Sequence, residues 1–131
     1  MPSIDVVDET FLAVPPERVA AEFADPALWR RFWPDLDLEV MTDRGAQGIR
    51  WTVTGALVGS MEVWLERVLD GTVLHYFLRA EPAAEPVTTS GPRAERRDRA
   101  HTVARQREAK DVAFGLKRRL ERGRPAGVRP Q

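Results

Sequence analysis

The feature that most limits how this chain can fold is a change of hydrophobic period near residue 96. Before it, apolar and polar residues alternate in short segments, whereas from about Arg96 to Arg122 apolar residues recur at helical spacing. This second pattern produces one apolar stripe along a helix. The stripe consists of Ala109, Val112, Ala113, Leu116 and Leu120. Because such a stripe must be buried against another layer, we expect a sheet packed on one long C-terminal helix.

The alternating segments predict β-strands that each bury one face. Asp70-Gly71 in "LDGT" suits a tight hairpin turn, since this pair tolerates a positive φ. Short turns between successive strands predict an antiparallel meander. The strands are predicted at residues 3–14, 36–43, 49–55, 60–68 and 72–82.

Prolines divide the aromatic-rich segment after the first strand into two short helices. "PPERVAAEFAD" begins with prolines, which suit the first turn of a helix, and ends at Asp25-Pro26. Asp25 can cap the second helix, "PALWRRFW", which Pro34 stops. Its aromatic side chains are predicted to cover the sheet and the terminal helix as a plug. They are Trp29, Phe32 and Trp33.

Length and composition predict one globular domain. The chain has 131 residues, of which 43% are hydrophobic, and no apolar run long enough to span a membrane. We predict a domain over 1–124, with a loop at 82–95 and a frayed tail at 125–131. Without cysteine there are no disulfides or thiolate metal sites, and the N-terminus lacks the pattern of a signal peptide. These features favour a cytoplasmic protein.

The two parts of the chain carry opposite charge. Residues 1–85 hold seven arginines and fifteen acidic residues, a net charge of −8, whereas 86–131 hold thirteen basic and five acidic residues, a net charge of +8. A basic helix can bind an acidic partner or RNA. The favoured interpretation is that it is solvated or pairs with the acidic part of its own chain, so nucleic acid is not an expected partner.

No motif for metal, phosphate or covalent chemistry is present. The only histidines, His75 and His101, lie on different predicted elements, and no phosphate loop, G-x-S-x-G or dinucleotide fingerprint occurs. Neither a metal nor a cofactor is predicted. What remains is general acid–base chemistry in an apolar pocket. The candidates are Asp8, Glu62, Glu66, His75, Tyr76 and His101.

Residues 13–36, "AVPPERVAAEFADPALWRRFWPDL", resemble the START-like, helix-grip superfamily, in particular polyketide cyclase/dehydrase or SRPBCC proteins. The strands "EVWLERV" and "HYFLRA" and the basic terminal helix also fit, so the resemblance covers about 3–122. It implies an α+β helix-grip fold. In that fold a curved antiparallel sheet wraps around a long C-terminal helix, with two short helices after the first strand. The chain has fewer strands than the fuller family pattern, and the superfamily has no universal catalytic residues.

The resemblance also implies where a ligand would bind. The pocket walls of the superfamily come from the inner sheet face, the short helices and the first half of the last helix. Whether His75 or Tyr76 points inward stays open, because a shift of one residue exchanges the two faces. Tight packing with room for only a water or two would argue against the pocket. The implied ligand-binding residues are Trp33, Trp51, Met61, Tyr76 and Gln106.

Three functions follow from this resemblance and from the charge. The first is binding of a small hydrophobic molecule, polyketide- or lipid-like. The second is a polyketide aromatase/cyclase-like enzyme that uses acid–base residues in the pocket. The third is a protein- or RNA-interaction module that uses the basic C-terminal helix. On the outer side of that helix, Val103 and Phe114 are predicted to be exposed, which makes Phe114 a candidate contact in a homodimer.

Overall fold

The protein is described here by a computed structural model, which covers residues 3–83 and 90–122. The described residues form five strands, three α-helices and a 3-10 turn, Gly45–Gln47, between the second and third strands. The strands are β1 (Ile4–Leu12), β2 (Leu36–Asp43), β3 (Gly48–Gly55), β4 (Leu57–Val68) and β5 (Gly71–Pro82). The helices are α1 (Pro16–Phe23), α2 (Pro26–Phe32) and α3 (Pro92–Leu120).

The strands form one antiparallel sheet in the order β1-β5-β4-β3-β2. Strands β2 to β5 follow one another in the sheet as they do in the chain. The exception is β1, the first strand, which lies at one edge of the sheet beside β5, the last strand. With α1 and α2 after the first strand and the long α3 at the end, the predicted α+β helix-grip fold is confirmed.

The hairpin between β4 and β5 is present, but its glycine has another role than the one predicted. The positive φ of 54° falls on Leu69, before the Asp-Gly pair. Gly71 instead begins β5, where an added Cβ would lie 2.4 Å from the Leu12 carbonyl oxygen. The close approach of β1 therefore requires glycine at this position.

The sheet's alternation places its apolar residues on the concave face. In β1 the buried residues alternate with more exposed ones, and in β5 Tyr76 lies on the buried face while His75 lies on the outer one. This settles the choice of register that the sequence left open. The concave face is filled by Trp51, Val53, Met61, Val63, Tyr76 and Leu78.

The long helix buries the stripe that its period predicts. Ala109, Ala113, Leu116 and Leu120 are buried, and Val112 is partly buried. The helix begins at Pro92, about one turn earlier than predicted, because proline fits its first turn and Ala94 is also buried there.

The same helix covers the free edge of β1. Every second carbonyl of β1 points away from β5, and side chains of α3 donate hydrogen bonds to three of them. The pairs are Gln106 Nε2 to Val7 (3.1 Å), Lys110 Nζ to Glu9 (3.1 Å) and Lys117 Nζ to Phe11 (3.0 Å). This edge is therefore protected against pairing with another strand.

Parts of the predicted domain layout lie outside the described residues. β5 ends at Pro82 and α3 begins at Pro92, so most of the predicted loop at 82–95 falls between them. Residues 84–89 and the predicted tail at 125–131 are not described, and the domain limits stay a prediction. No helix in the described residues has the length and apolarity needed to cross a membrane.

Candidate functional site

The aromatic segment between the prolines packs as a cluster under α3. The Asp25 carboxylate caps α2 by accepting from Ala27 N at 2.9 Å, and the Trp29 indole donates to the Phe23 carbonyl at 2.7 Å. The second bond links α2 to the end of α1, and Trp33, which follows α2, is buried in the core. Its ring centroid lies 5.7 Å from Trp51.

Four of the five predicted ligand-binding residues meet in this cluster. Trp33, Trp51, Met61 and Tyr76 are all buried, with the Trp33 and Tyr76 rings stacked at 6.1 Å. The Tyr76 hydroxyl donates to Met61 Sδ at 3.0 Å. Burial raises the pKa of Tyr76 far above its ordinary value, so this hydroxyl stays protonated at any physiological pH.

Gln106 does not join the other four. It is half-buried and donates to the Val7 carbonyl at the β1 edge. The neighbouring Arg105 is buried instead. The apolar stripe covers only the second half of the helix, so its phase at residues 105 and 106 was too weakly defined to choose between them.

The space inside the cluster is small. A cavity between the sheet and α3 has a volume of about 10 Å³, which is room for one water molecule. Trp33 Nε1 and Trp51 Nε1 are buried, and neither has a hydrogen-bond acceptor among the described residues. Ligand binding by the five predicted residues stays a prediction. The cavity is lined by Asp8, Phe23, Trp33, Val63, Leu74, Tyr76, Ala109, Val112 and Ala113.

A larger cavity, which the sequence did not reveal, lies between α1 and the sheet. Its volume is about 200 Å³, and Phe23 and Val63 belong to its wall as well as to that of the small cavity. The only signal in the sequence was the run of small residues on α1, which leaves the helix without side chains to fill the gap. The wall consists of Ala20, Ala21, Phe23, Ala24, Asp43, Gly45, Gly48, Ile49, Val63 and Leu65.

A buried cation connects α3 to the turn between α2 and β2. The Arg105 guanidinium donates to both carboxylate oxygens of Asp35, at 3.1 and 2.7 Å, and to Glu108 at 2.9 Å. The hydrogen bond from Arg105 lowers the pKa of Asp35, while burial raises the pKa of Glu108. Burial opposes the charge of Arg105, but its two carboxylate partners outweigh burial and raise its pKa.

This pair belongs to a wider pattern that explains the opposite charges of the two parts of the chain. Besides Arg105, two other cations of α3 pair with acidic groups of the preceding elements. Lys110 Nζ lies 3.0 Å from Asp8, and Arg119 lies 2.9 Å from Glu22. These contacts support the interpretation that the basic helix forms ion pairs with the acidic part of its own chain.

The acid–base candidates mostly lie apart. Only Asp8 and Tyr76 face the same small cavity. His75 lies on the outer face, stacked on Trp64 at 4.4 Å, with its ring nitrogens 2.9 Å from Glu66 and 3.3 Å from Glu9. Glu62 pairs with Arg44 on that face, and His101 lies on α3, where burial lowers its pKa. Among residues 3–83 and 90–122, no three His, Asp or Glu side chains could share a metal ion.

Comparison with known proteins gives structural matches only. No protein-family model and no curated protein sequence matches this chain. The Aha1 dimer from Colwellia psychrerythraea, solved in solution, matches 93% of this chain and 99% of its own, with a TM-score of 0.64 at 12% identity.

Two crystal structures match in the same way. The match with CalU16 from Micromonospora echinospora spans 90% of this chain and 79% of CalU16, with a TM-score of 0.58 at 13% identity. The match with TTHA0849 from Thermus thermophilus spans 88% of this chain and 96% of TTHA0849, with a TM-score of 0.57 at 17% identity. At these identities the matches show the fold alone, and they are consistent with the helix-grip arrangement of this chain.

Proposed function

We propose that this protein binds a small apolar molecule in the cavity between α1 and the sheet. The observation that carries the proposal is a half-open space of about 200 Å³ with mostly apolar walls. Small-molecule sites are concave and mostly apolar, with a few polar groups at defined positions. The wall also includes Asp43, Gly45 and Gly48, and the Asp43 carboxylate there accepts a hydrogen bond from Gly45 N at 2.8 Å.

The volume sets the size of the ligand. A cavity of about 150 Å³ in a protein core is enough for benzene, so this one suits a compound of one substituted ring. Polyketide- or lipid-like ligands, which the sequence suggested, need more room. The small volume beside Trp33 and Tyr76 weighs against a ligand there, and the proposed site therefore moves toward α1.

An aromatase/cyclase-like activity is less well supported. It requires two titratable groups that converge in a cavity able to hold the substrate. Asp8 and Tyr76 converge, but the cavity they line holds one water molecule, and Asp8 is paired with Lys110.

The cytoplasmic location predicted from the sequence stays a prediction.

Binding of toluene tests the proposed site. Toluene should raise the melting temperature of the wild type in a concentration-dependent way, because a ligand that binds only the folded state stabilises it. Ala20→Leu places a larger side chain in the cavity wall and should weaken binding at least tenfold without lowering the melting temperature. Ala27→Leu, on the exposed side of α2, is the matched control and should bind like the wild type. Equal binding by the Ala20→Leu variant would place the ligand elsewhere.

A second candidate function is self-association through the outer face of α3. Val103 and Phe114 are 49% and 46% exposed there, and the Aha1 structure, which has the same fold, is that of a dimer. Lys110 Nζ lies 5.5 Å from the Phe114 ring centroid, so this ring is held in place at the surface rather than folded back into the core. We propose a second copy of this chain as the occupant of that face.

The self-association is tested at Phe114. Phe114→Ser should weaken it at least tenfold in sedimentation experiments, because an exposed aromatic side chain is the type of residue that dominates interfaces. Val58→Ser, an exposed valine of β4 away from α3, should leave it unchanged. A wild-type protein that stays monomeric at millimolar concentration would rule out the dimer.

A further inference from the structure

Self-association through α3 requires a surface on the second copy, and the charges of the molecule indicate which one. We propose that the outer face of α3 in one copy docks on the outer face of the sheet in the next, with Phe114 against Trp64. This inference rests on the proposed self-association, to which it adds the second surface and a head-to-tail arrangement.

Two copies of α3 fit each other poorly. A two-fold contact that pairs Val103 of one helix with Phe114 of the other runs the two helices antiparallel. In that register Arg107 lies opposite Lys110 of the other copy, and Arg99 lies opposite Arg118. These contacts bring like charges together, which disfavours the symmetric arrangement.

The outer face of the sheet carries an aromatic side chain beside carboxylates. Trp64 is 41% exposed there, and Val7, two strands away on β1, is 56% exposed. The Glu9 and Glu66 side chains are 66% and 45% exposed, and both carboxylates contact the ring of His75. One imidazole ring carries at most one positive charge against these two negative charges. This patch is therefore apolar at its centre and acidic at its border.

The outer face of α3 has the opposite charge around its own aromatic side chain. Phe114 is 46% exposed, and the exposed Arg107 and Arg118 lie seven residues before it and four residues after it. Neither arginine has an ion-pair partner in residues 3–83 and 90–122. This helix face therefore presents an apolar centre with a basic border, which complements the patch around Trp64.

The spacing of the charges is similar on the two faces. Along α3, Arg118 and Arg107 lie roughly 6 and 10 Å from Phe114. On the sheet, Glu66 lies two residues from Trp64 on β4, roughly 7 Å, and Glu9 lies two strands away, roughly 10 Å. Contact between the two rings therefore brings both arginines within reach of carboxylates.

The two faces lie on opposite sides of the molecule. Because α3 buries its apolar stripe against the concave face of the sheet, its outer face points away from the sheet. Two copies therefore cannot engage both pairs of faces at once, and each contact leaves one helix face and one sheet face free. A dimer forms first, and further copies add to its ends as the concentration rises.

Mixing two variants tests the head-to-tail contact. Phe114→Ser and Trp64→Ala should each self-associate more weakly than the wild type by about tenfold or more in sedimentation experiments, because each has lost one anchor. An equal mixture should form a one-to-one dimer with about the wild-type affinity, since each variant keeps the face that the other lacks. Glu66→Lys is a second sheet variant in case Trp64→Ala does not fold. Val58→Ser, roughly 20 Å from Trp64 on the same face, should behave like the wild type.

Salt provides an independent measurement. Raising NaCl from about 50 to about 500 mM should weaken association of the wild type, because it screens the attraction between opposite charges. A contact between two α3 faces would instead become tighter, and that result would overturn the proposed pairing of charges.

The outcomes separate this inference from the self-association on which it rests. Wild-type association by both Trp64→Ala and Glu66→Lys would overturn the docking on the sheet and leave self-association through α3 intact. A mixture of Phe114→Ser with either sheet variant that forms no dimer would do the same. A wild type that stays monomeric at millimolar concentration would overturn the self-association, and this inference with it.

Discussion

Trp33→Ala is expected to lower the free energy of unfolding by about 3–5 kcal/mol, the usual cost of truncating a buried large aromatic residue. Trp33 is almost fully buried, and its ring contacts the Phe23, Phe32, Trp51 and Tyr76 rings at centroid distances of 5.5 to 6.4 Å. The segment after α2 has no other side chain that could fill the space left by the indole. Trp33 therefore belongs to the core beneath α3, and Trp29 and Phe32 of the same segment pack against it partly buried.

Urea unfolding measures this effect. Trp64→Ala is the matched control, because Trp64 lies on the outer face of the sheet and is 41% exposed, with His75 as its stacking partner. Its loss should cost less than about 2 kcal/mol, since 41% of its surface stays in contact with water in the folded state. An unchanged unfolding midpoint for Trp33→Ala would mean that the indole is not part of the core.

The elements of the fold could be predicted because each is determined by a local pattern. Alternation placed the strands within a few residues of their observed bounds, and Asp25-Pro26 with Pro34 marked the limits of α2. The turn at Asp70-Gly71 was also found, although the positive φ fell on Leu69. In that case the local preference of glycine gave way to the close approach of β1, a contact between residues far apart in the sequence.

The site was predictable only in part, because its walls depend on how elements pack. The inward direction of Trp51 and Met61 agrees with the alternation of their strands. Because side chains in a strand point to opposite faces in turn, knowing the buried face of one residue determines the face of the others. Gln106 was implied by the resemblance, and the weak phase of the polar half of α3 could not distinguish it from Arg105, which is the buried residue. The cavity beside α1 depends on the distance between that helix and β4, which no residue pattern specifies.

Arg105→Met is expected to cost about 2–4 kcal/mol at pH 7. Breaking a buried ion pair by removing one partner usually costs about 3–5 kcal/mol, because the other charge is left without compensation. The value is reduced here because the Asp35 side chain is half-exposed and can be rehydrated. In the variant, Glu108, which is largely buried, has no cation beside it in place of Arg105. Most of the loss therefore comes from this carboxylate.

The dependence of this loss on pH distinguishes a lost ion pair from lost packing. In the wild type the pKa of Asp35 is lowered, so its stabilising contribution is complete above the ordinary value of 3.8 and disappears as the pH falls through the lowered value. In the variant the pKa of Glu108 should rise further above 4.5, so the folded state takes up a proton more readily than the unfolded state does. The variant therefore gains stability relative to the wild type as the pH falls from 7 toward 4.

Unfolding by urea at pH 7, 5.5 and 4 should accordingly show a difference between wild type and Arg105→Met that shrinks with each step. Arg119→Met is the control on the same helix, because the Arg119 side chain is 39% exposed, against 7% for Arg105, and its pair with Glu22 should contribute less than about 1 kcal/mol at any of these pH values. A constant difference across the three pH values would mean that Arg105 acts through the packing of its aliphatic part. In that case the Asp35 and Glu108 carboxylates would contribute little to holding α2 against α3, and the polar half of the helix would be held in place by the aromatic cluster alone.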